Sequence, residues 1–389
     1  MPCRLLCVAV DLPGHLDWGG YLATTQALAR RGHEVLWVSG EAVGPRIAAA
    51  GLPFVPLPTI GWRHDLPPLL PQRDSAQREQ ARRERALAVW LDPEAVGRAL
   101  TGLLAVAQAF RPDRVLVEPF AAAGVLLAEK LDLPLVVVGR PALPPAAAGE
   151  GAPPLVRAAV TRLCETAGVS GRYWDLQRGL PTSPRLHLDF FCRPWYADLP
   201  AIGPQTVFCG GLPAVPIRRQ RRPATVLVTL GSTFRDDPAF FRLAAQAVIA
   251  AGARPLVVTG GQGDVPGLPA GCEVMPWVEY AAVFPRLAAV IHHGGVATTH
   301  AALVYGVPQL VVPHAGDQYA QAGRVTQAGV GYGVRPRDFT AATAAPLLAS
   351  LLNDPGFRVA AQHWAHEMHA LGGIETAVAA VEGDDGRLT

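Results

Sequence analysis

Short apolar runs alternate along the chain with Ala-rich amphipathic stretches. In the first half the runs are Arg4–Val10, Glu34–Val38, Arg114–Val117 and Pro134–Val138, with helical spacing over Tyr21–Arg31 and Ala121–Leu131. A run of about four to eight residues that is apolar throughout predicts a strand buried on both faces, as in a parallel sheet covered by helices above and below. The pattern returns as Thr225–Leu230, a helix around Ala239–Ala251, Pro255–Val258, a run ending at His292, and Gln309–Val312. Two doubly wound parallel-sheet α/β domains are expected.

Between them "FCGGLPAVPIRRQRRPA" is dense in Gly, Pro and Arg and has no apolar period, which predicts an exposed linker. The expected boundaries are an N-terminal domain at 1–207, a linker at 208–223, a second domain at 224–358 and a C-terminal helix at 359–389 that packs back toward the first domain. The "RRQRR" run reads as a solvated connector in preference to an anion patch. Pro53–Trp90 breaks the alternation with "DLPPLLP" and the charged "QRDSAQREQARRERALAVW". Irregular insertions of this length border binding pockets or are plain surface excursions, and both readings stay open.

Composition narrows the partners. The chain has 389 residues, 50% hydrophobic and 17% charged, enough for two globular domains. Thirty-four basic and thirty-two acidic residues leave a net charge of +2, too little to neutralise a phosphate backbone, so no nucleic acid partner is expected. Six scattered cysteines with no CxxC pair argue against a disulfide framework or a structural metal and for a reduced cytoplasm. The apolar start "LLCVAV" stops at Asp11, and no run approaches the roughly 18 residues that span a bilayer, so neither a signal peptide nor a transmembrane segment is expected.

The stretch "VIHHGGVATTHAAL" ends a strand, turns on glycines and opens a helix. The free amides and positive dipole of a helix start suit an anion, phosphate above all. His293 would add a hydrogen bond, Thr298 a hydroxyl, and Gly294 and Gly295 the tight turn; a glycine turn with a capping histidine is the alternative. "VLVTLGSTF" places Gly231 and Ser232 after the first strand of the second domain, where α/β sheets bind ligands beyond their strand carboxyl ends. Two such loops suggest a diphosphate. Trp277 in "MPWVEY" is either core packing or a platform for a nucleobase. Asp317 and Gln318 are turn residues or ligands for a polyhydroxylated group.

From Trp277 to Gly331 the chain resembles the nucleotide-sugar signature of the family 1 (UDP-glucuronosyltransferase-like) glycosyltransferases, especially bacterial enzymes that decorate macrolides and enediynes. The shared block is "HHGG-x-x-TT-x-x-AL-x-x-GVPQL-x-x-P-x-x-x-DQ", and a weaker likeness includes "PGHL" and "LGS". The resemblance implies a GT-B fold, two Rossmann-like domains facing a cleft, with acceptor in the first and donor in the second. It implies that Trp277 stacks the base and the Val278 backbone reads its edge. His293, Gly295, Thr298 and Ser232 would hold the diphosphate, and Asp317 and Gln318 the sugar. Two positions depart from the family pattern: Ala297 stands where glycine is usual, and Trp18 where proline is usual.

His15 follows the first strand at the sheet's carboxyl edge, and a histidine suits deprotonation of an attacking hydroxyl. In the family this position is the catalytic base. Glu118, in "RVLVEPF", occupies the place where many members carry Asp and would orient the imidazole. No Asp-x-Asp occurs, and the only acidic residue from Ile291 to Gly329 is Asp317, so a metal site and the Glu-x7-Glu pair of retaining relatives are missing. The expectation is an inverting, metal-independent glycosyltransferase moving sugar from UDP- or dTDP-sugar to a hydrophobic small molecule, without another cofactor. A lipid or sterol glycosyltransferase and a nucleotide-sugar 2-epimerase are the alternatives; a homodimer stays open. His363, His366 and His369 lie at helical spacing and read as a solvated face in preference to a metal face.

Overall fold

A computed structural model describes residues 2–17, 19–66, 75–144, 154–214, 224–231, 237–261, 263, 265–314 and 316–384. The chain divides into two compact units. One is Met1–Asp189 with Ala201–Phe208 and Ile374–Thr389; the other is Phe190–Pro200 with Cys209–Gly373.

In the first unit seven strands form one sheet: β1 Arg4–Val8, β2 Glu34–Ser39, β3 Phe54–Pro56, β4 Arg114–Val117, β5 Leu135–Val138, β6 Leu186–Asp189 and β7 Thr206–Phe208. Their order is β3-β2-β1-β4-β5-β6-β7, and every pair is parallel. Leu5 to Val8 and Val115 to Val117 are fully buried, as strands covered on both faces must be. From β1 the chain runs outward to β2 and β3, then returns to the other side at β4. The strand order therefore reverses between β1 and β4, the point in an α/β sheet beyond whose carboxyl ends ligands bind.

The second unit repeats this plan. β8 Thr225–Thr229, β9 Arg254–Val258, β10 Glu273–Met275, β11 Ala289–His292, β12 Gln309–Val311 and β13 Gly331–Gly333 lie in the order β10-β9-β8-β11-β12-β13, all parallel. Its reversal falls between β8 and β11, the strands that precede Gly231 and His293.

Local chemistry sets the helices. Pro93–Phe110 starts where Asp92 accepts from the Ala95 amide at 2.8 Å and Pro93 takes the first turn, a cap worth about 1 kcal/mol. It buries Ala95, Val96, Ala99, Leu100, Leu103 and Ala107 on one face, and full burial of a leucine such as Leu103 contributes about 1.5–3 kcal/mol. Tyr21 opens the Tyr21–Arg30 helix, and its hydroxyl donates to the Leu116 carbonyl of β4 at 2.8 Å, fixing that helix to the sheet.

The insertion is more regular than its sequence suggests. Phe54–Pro56 is an edge strand on β2, and Ser75–Trp90 is a helix. Charge hides the helix: among its described side chains Leu87 and Trp90 reach the core, and both fall near its end. At the C-terminus Pro355–His369 belongs to the second unit and Ile374–Gly383 to the first. The latter packs on Tyr21–Arg30, with Arg31 paired to Glu375 and Glu382 and Arg114 Nη1 donating to the Val381 carbonyl at 2.6 Å. Among the described residues no helix is long and apolar enough to cross a membrane.

Candidate active site

In the first unit β1 runs into a short turn, Pro13–His15, and β4 ends one residue before Glu118. His15 Nδ1 lies 3.2 Å from Glu118 Oε2. Glu118 is fully buried, and its carboxylate also accepts from the Val10 amide at 3.1 Å and the Phe120 amide at 2.9 Å. Amides can only donate, so these bonds suit a carboxylate anion and the hydrogen of His15 belongs on Nδ1. Nε2 is then the basic nitrogen. The imidazole lies near two aromatic rings, Trp62 at 5.8 Å and Phe120 at 5.3 Å between centroids. Two residues past Trp62, His64 Nε2 reaches Asp11 Oδ1 at 2.8 Å, which ties that loop to the loop after β1.

In the second unit Gly295 caps the Val296–Val304 helix at φ −62 and ψ 142 and, being glycine, puts no side chain of its own on the first amides. The Thr299 amide is bonded back to Gly295 O at 3.0 Å, so Val296, Ala297 and Thr298 hold the amides that a helix start leaves without intrahelical acceptors. His293 stands between two glycines. A Cβ at Gly231, where φ is +66, would lie 2.9 Å from its Cε1, and one at Gly295 would lie 2.5 Å from its Nε2. The loops after β8 and β11 can therefore meet around the imidazole only if both residues lack a side chain. Burial pushes His293 down to about 3 and His292 down to about 4, so both rings are neutral near pH 7 and His293 offers a neutral N–H.

The remaining sequence-derived residues separate into open and engaged groups. Trp277 is 45% exposed and lies against Gly261, where a Cβ would come 3.0 Å from its Nε1; it is a surface platform, not core. Val278 is half-buried beside it, and Asp317 is exposed. Gln318 is buried, and its Oε1 accepts from the His314 amide at 2.8 Å. Thr298 Oγ1 pairs with the Tyr280 hydroxyl at 2.8 Å. The Gly294 amide donates inward to His292 Nδ1 at 3.1 Å, so Gly294 supplies the turn while its N–H stays with the protein. Ser232 and Trp18 lie outside the described residues, as does the "RRQRR" run.

Tyr280, Trp62, Phe120 and the Asp11–His64 pair were not singled out in the sequence. Each meets its partner across separate loops, and no spacing announces that. His363 and His366 are exposed, while His369 Nε2 lies 2.8 Å from the Val304 carbonyl. Among the described residues no three His, Cys, Asp or Glu side chains stand together to hold a metal ion.

Comparisons with known proteins bear on the family and the fold. Residues 26–140 match the N-terminal domain, and residues 247–379 the C-terminal domain, of the erythromycin biosynthesis protein CIII-like family. The chain is 33% identical over 384 residues to the elloramycin glycosyltransferase ElmGT of Streptomyces olivaceus, covering 95% of this chain and 94% of that one. Among solved structures it resembles the glycosyltransferase SnogD from Streptomyces nogalater, with a TM-score of 0.71, 26% identity and coverage of 98% and 99%. It also resembles the spinosyn rhamnosyltransferase SpnG complexed with thymidine diphosphate, with a TM-score of 0.68, 22% identity and coverage of 98% and 100%. The chain belongs to the erythromycin biosynthesis protein CIII-like family and is a glycosyltransferase of GT-B fold and of the bacterial natural-product type.

Proposed function

We propose that the enzyme transfers a sugar, with inversion and without a metal, from a UDP- or dTDP-sugar to a hydroxyl of a hydrophobic small-molecule acceptor. The observation that carries the reading is the pairing of His15 with the buried Glu118 at 3.2 Å. The acceptor oxygen attacks the anomeric carbon as the bond from that carbon to the diphosphate oxygen breaks. The hydroxyl proton passes to His15 Nε2, and Glu118 stabilises the imidazolium that results. Trp62 and Phe120, beside the imidazole, favour an apolar acceptor.

Departure of the nucleoside diphosphate leaves negative charge on its oxygens. The uncapped start of the Val296–Val304 helix and the neutral His293 N–H provide donors for it in place of a cation. Exposed Trp277 suits stacking of the base, with the Val278 backbone at its edge, and exposed Asp317 suits a sugar hydroxyl; Gln318 would act mainly by holding the His314 loop. The thymidine diphosphate bound in SpnG favours dTDP-sugars as first donors to try.

The test is a panel of UDP- and dTDP-sugars with apolar aglycones, assayed with and without EDTA. A glycoside whose anomeric configuration is opposite to the donor's, formed equally in EDTA, is expected. Retention of configuration, loss of activity in EDTA, or release of an epimerised nucleotide sugar without acceptor would each refute it.

A further inference from the structure

We infer that Gln309 is a positioning residue for the diphosphate-facing loop, acting through the tautomer of His292. The inference rests on the donor reading of that loop given above. Gln309 opens β12 and His292 ends the neighbouring β11; both are fully buried. Gln309 Oε1 lies 3.0 Å from His292 Nε2, and His292 Nδ1 lies 3.1 Å from the Gly294 nitrogen. Because the Gly294 amide can only donate, Nδ1 must accept, and the one ring proton must sit on Nε2, where the Gln309 oxygen receives it. Each link fixes the next, from the strand to the ring to the turn.

The turn leaves no space for a side chain. Gly294 stands at φ +90, and a Cβ there would lie 2.9 Å from Val311 Cγ1 and 3.0 Å from Gln318 O. A glycine in that region has freedom in both directions, and the bond to His292 restrains it. The next residue, Gly295, caps the helix whose first amides face the diphosphate, and the preceding one is His293. Burial drives His292 down to about 4, which keeps Nδ1 an acceptor through the neutral range. A second proton on the ring would set two donors against each other.

Gln309 also bears a cost that marks its oxygen as the reason for its presence. Its Nε2 is buried with no hydrogen-bond partner among the described residues. Leucine would occupy the same place in an apolar strand without that penalty.

The experiment measures binding of UDP and TDP by titration calorimetry to the wild type, Gln309→Leu, Gln309→Glu, His292→Leu and His292→Asn, with melting curves for each. Asparagine places its Oδ1 near the position of Nδ1, so His292→Asn keeps the acceptor that His292→Leu removes. Binding by His292→Asn within about threefold of wild type, and a loss of about tenfold or more in both leucine variants, is expected. In Gln309→Glu the new carboxylate favours the doubly protonated ring. Its affinity relative to wild type is therefore expected to fall as pH drops from 8 to 6. His293, His314, Asp237 and Asp317 stand near the loop in both proteins, so their effects cancel in that ratio. Gln309→Leu binding like wild type, or His292→Asn as weak as His292→Leu, overturns the inference; if the leucine variants do not fold, a pH-independent ratio for Gln309→Glu overturns it. Failure of the wild type to bind either nucleotide instead removes the donor reading itself.

Discussion

His15 owes its basic nitrogen to a carboxylate that has no freedom of its own. Glu118 accepts from two backbone amides as well as from the imidazole, and it is wholly buried. Replacing it by glutamine leaves one oxygen for three donors and adds an NH2 that repels them. Glu118→Gln is expected to lower kcat by about 10²–10⁴-fold, the range of a general base, with little change in nucleotide affinity, since donor loop and dyad lie in different units. Steady-state kinetics with a nucleotide titration on the same protein check this. His15 and Glu118 were legible because each follows an apolar run at a position that the family resemblance marks. The amides of Val10 and Phe120 were not, since their convergence depends on how two loops bend.

At the level of elements, the loop around His293 is a crowding problem solved with glycine. Gly295→Ala would drive a methyl to within 2.5 Å of His293 Nε2. Nucleotide binding is expected to weaken by about tenfold or more, equivalent to about 1.4 kcal/mol, while the variant melts cooperatively. An alanine variant that binds UDP and TDP like wild type would show that the imidazole has room to move. The glycines and His293 were visible in "HHGG" and "LGS", although the meeting of the two loops around the imidazole was not. Long apolar strands such as β1, β4 and β11 were also visible. β6, β7, β10 and β13 escaped: β6 carries His187 and Asp189 within it, β10 has all three residues exposed, and β13 is glycine at both ends. Sheet pairing, not local pattern, makes them strands.

Across the whole molecule, buried neutral histidines tie stability to pH. His187 and His293 are pushed down to about 3, and His292 and His300 to about 4, in each case by burial first. Above pH 6.5 they are neutral in both folded and unfolded chains and contribute no dependence. Between 6.5 and about 4 the unfolded chain binds protons that the folded one refuses, so stability falls as pH falls, by about 1.4 kcal/mol per histidine for each pH unit. Thermal melts are expected to show a steep loss between pH 6.5 and 5 that His187→Asn or His300→Asn partly relieves in slope. A melting temperature flat over that range would contradict the assignment of neutral, buried rings.

The proposed role of His15 as general base is tested most directly by single-turnover transfer with His15→Ala. The rate constant for glycoside formation is measured alongside the Kd for TDP or UDP on the same preparation. A fall of about a hundredfold or more in the rate, with Kd within about twofold of wild type, is expected for loss of a general base. Transfer at the wild-type rate would contradict the account.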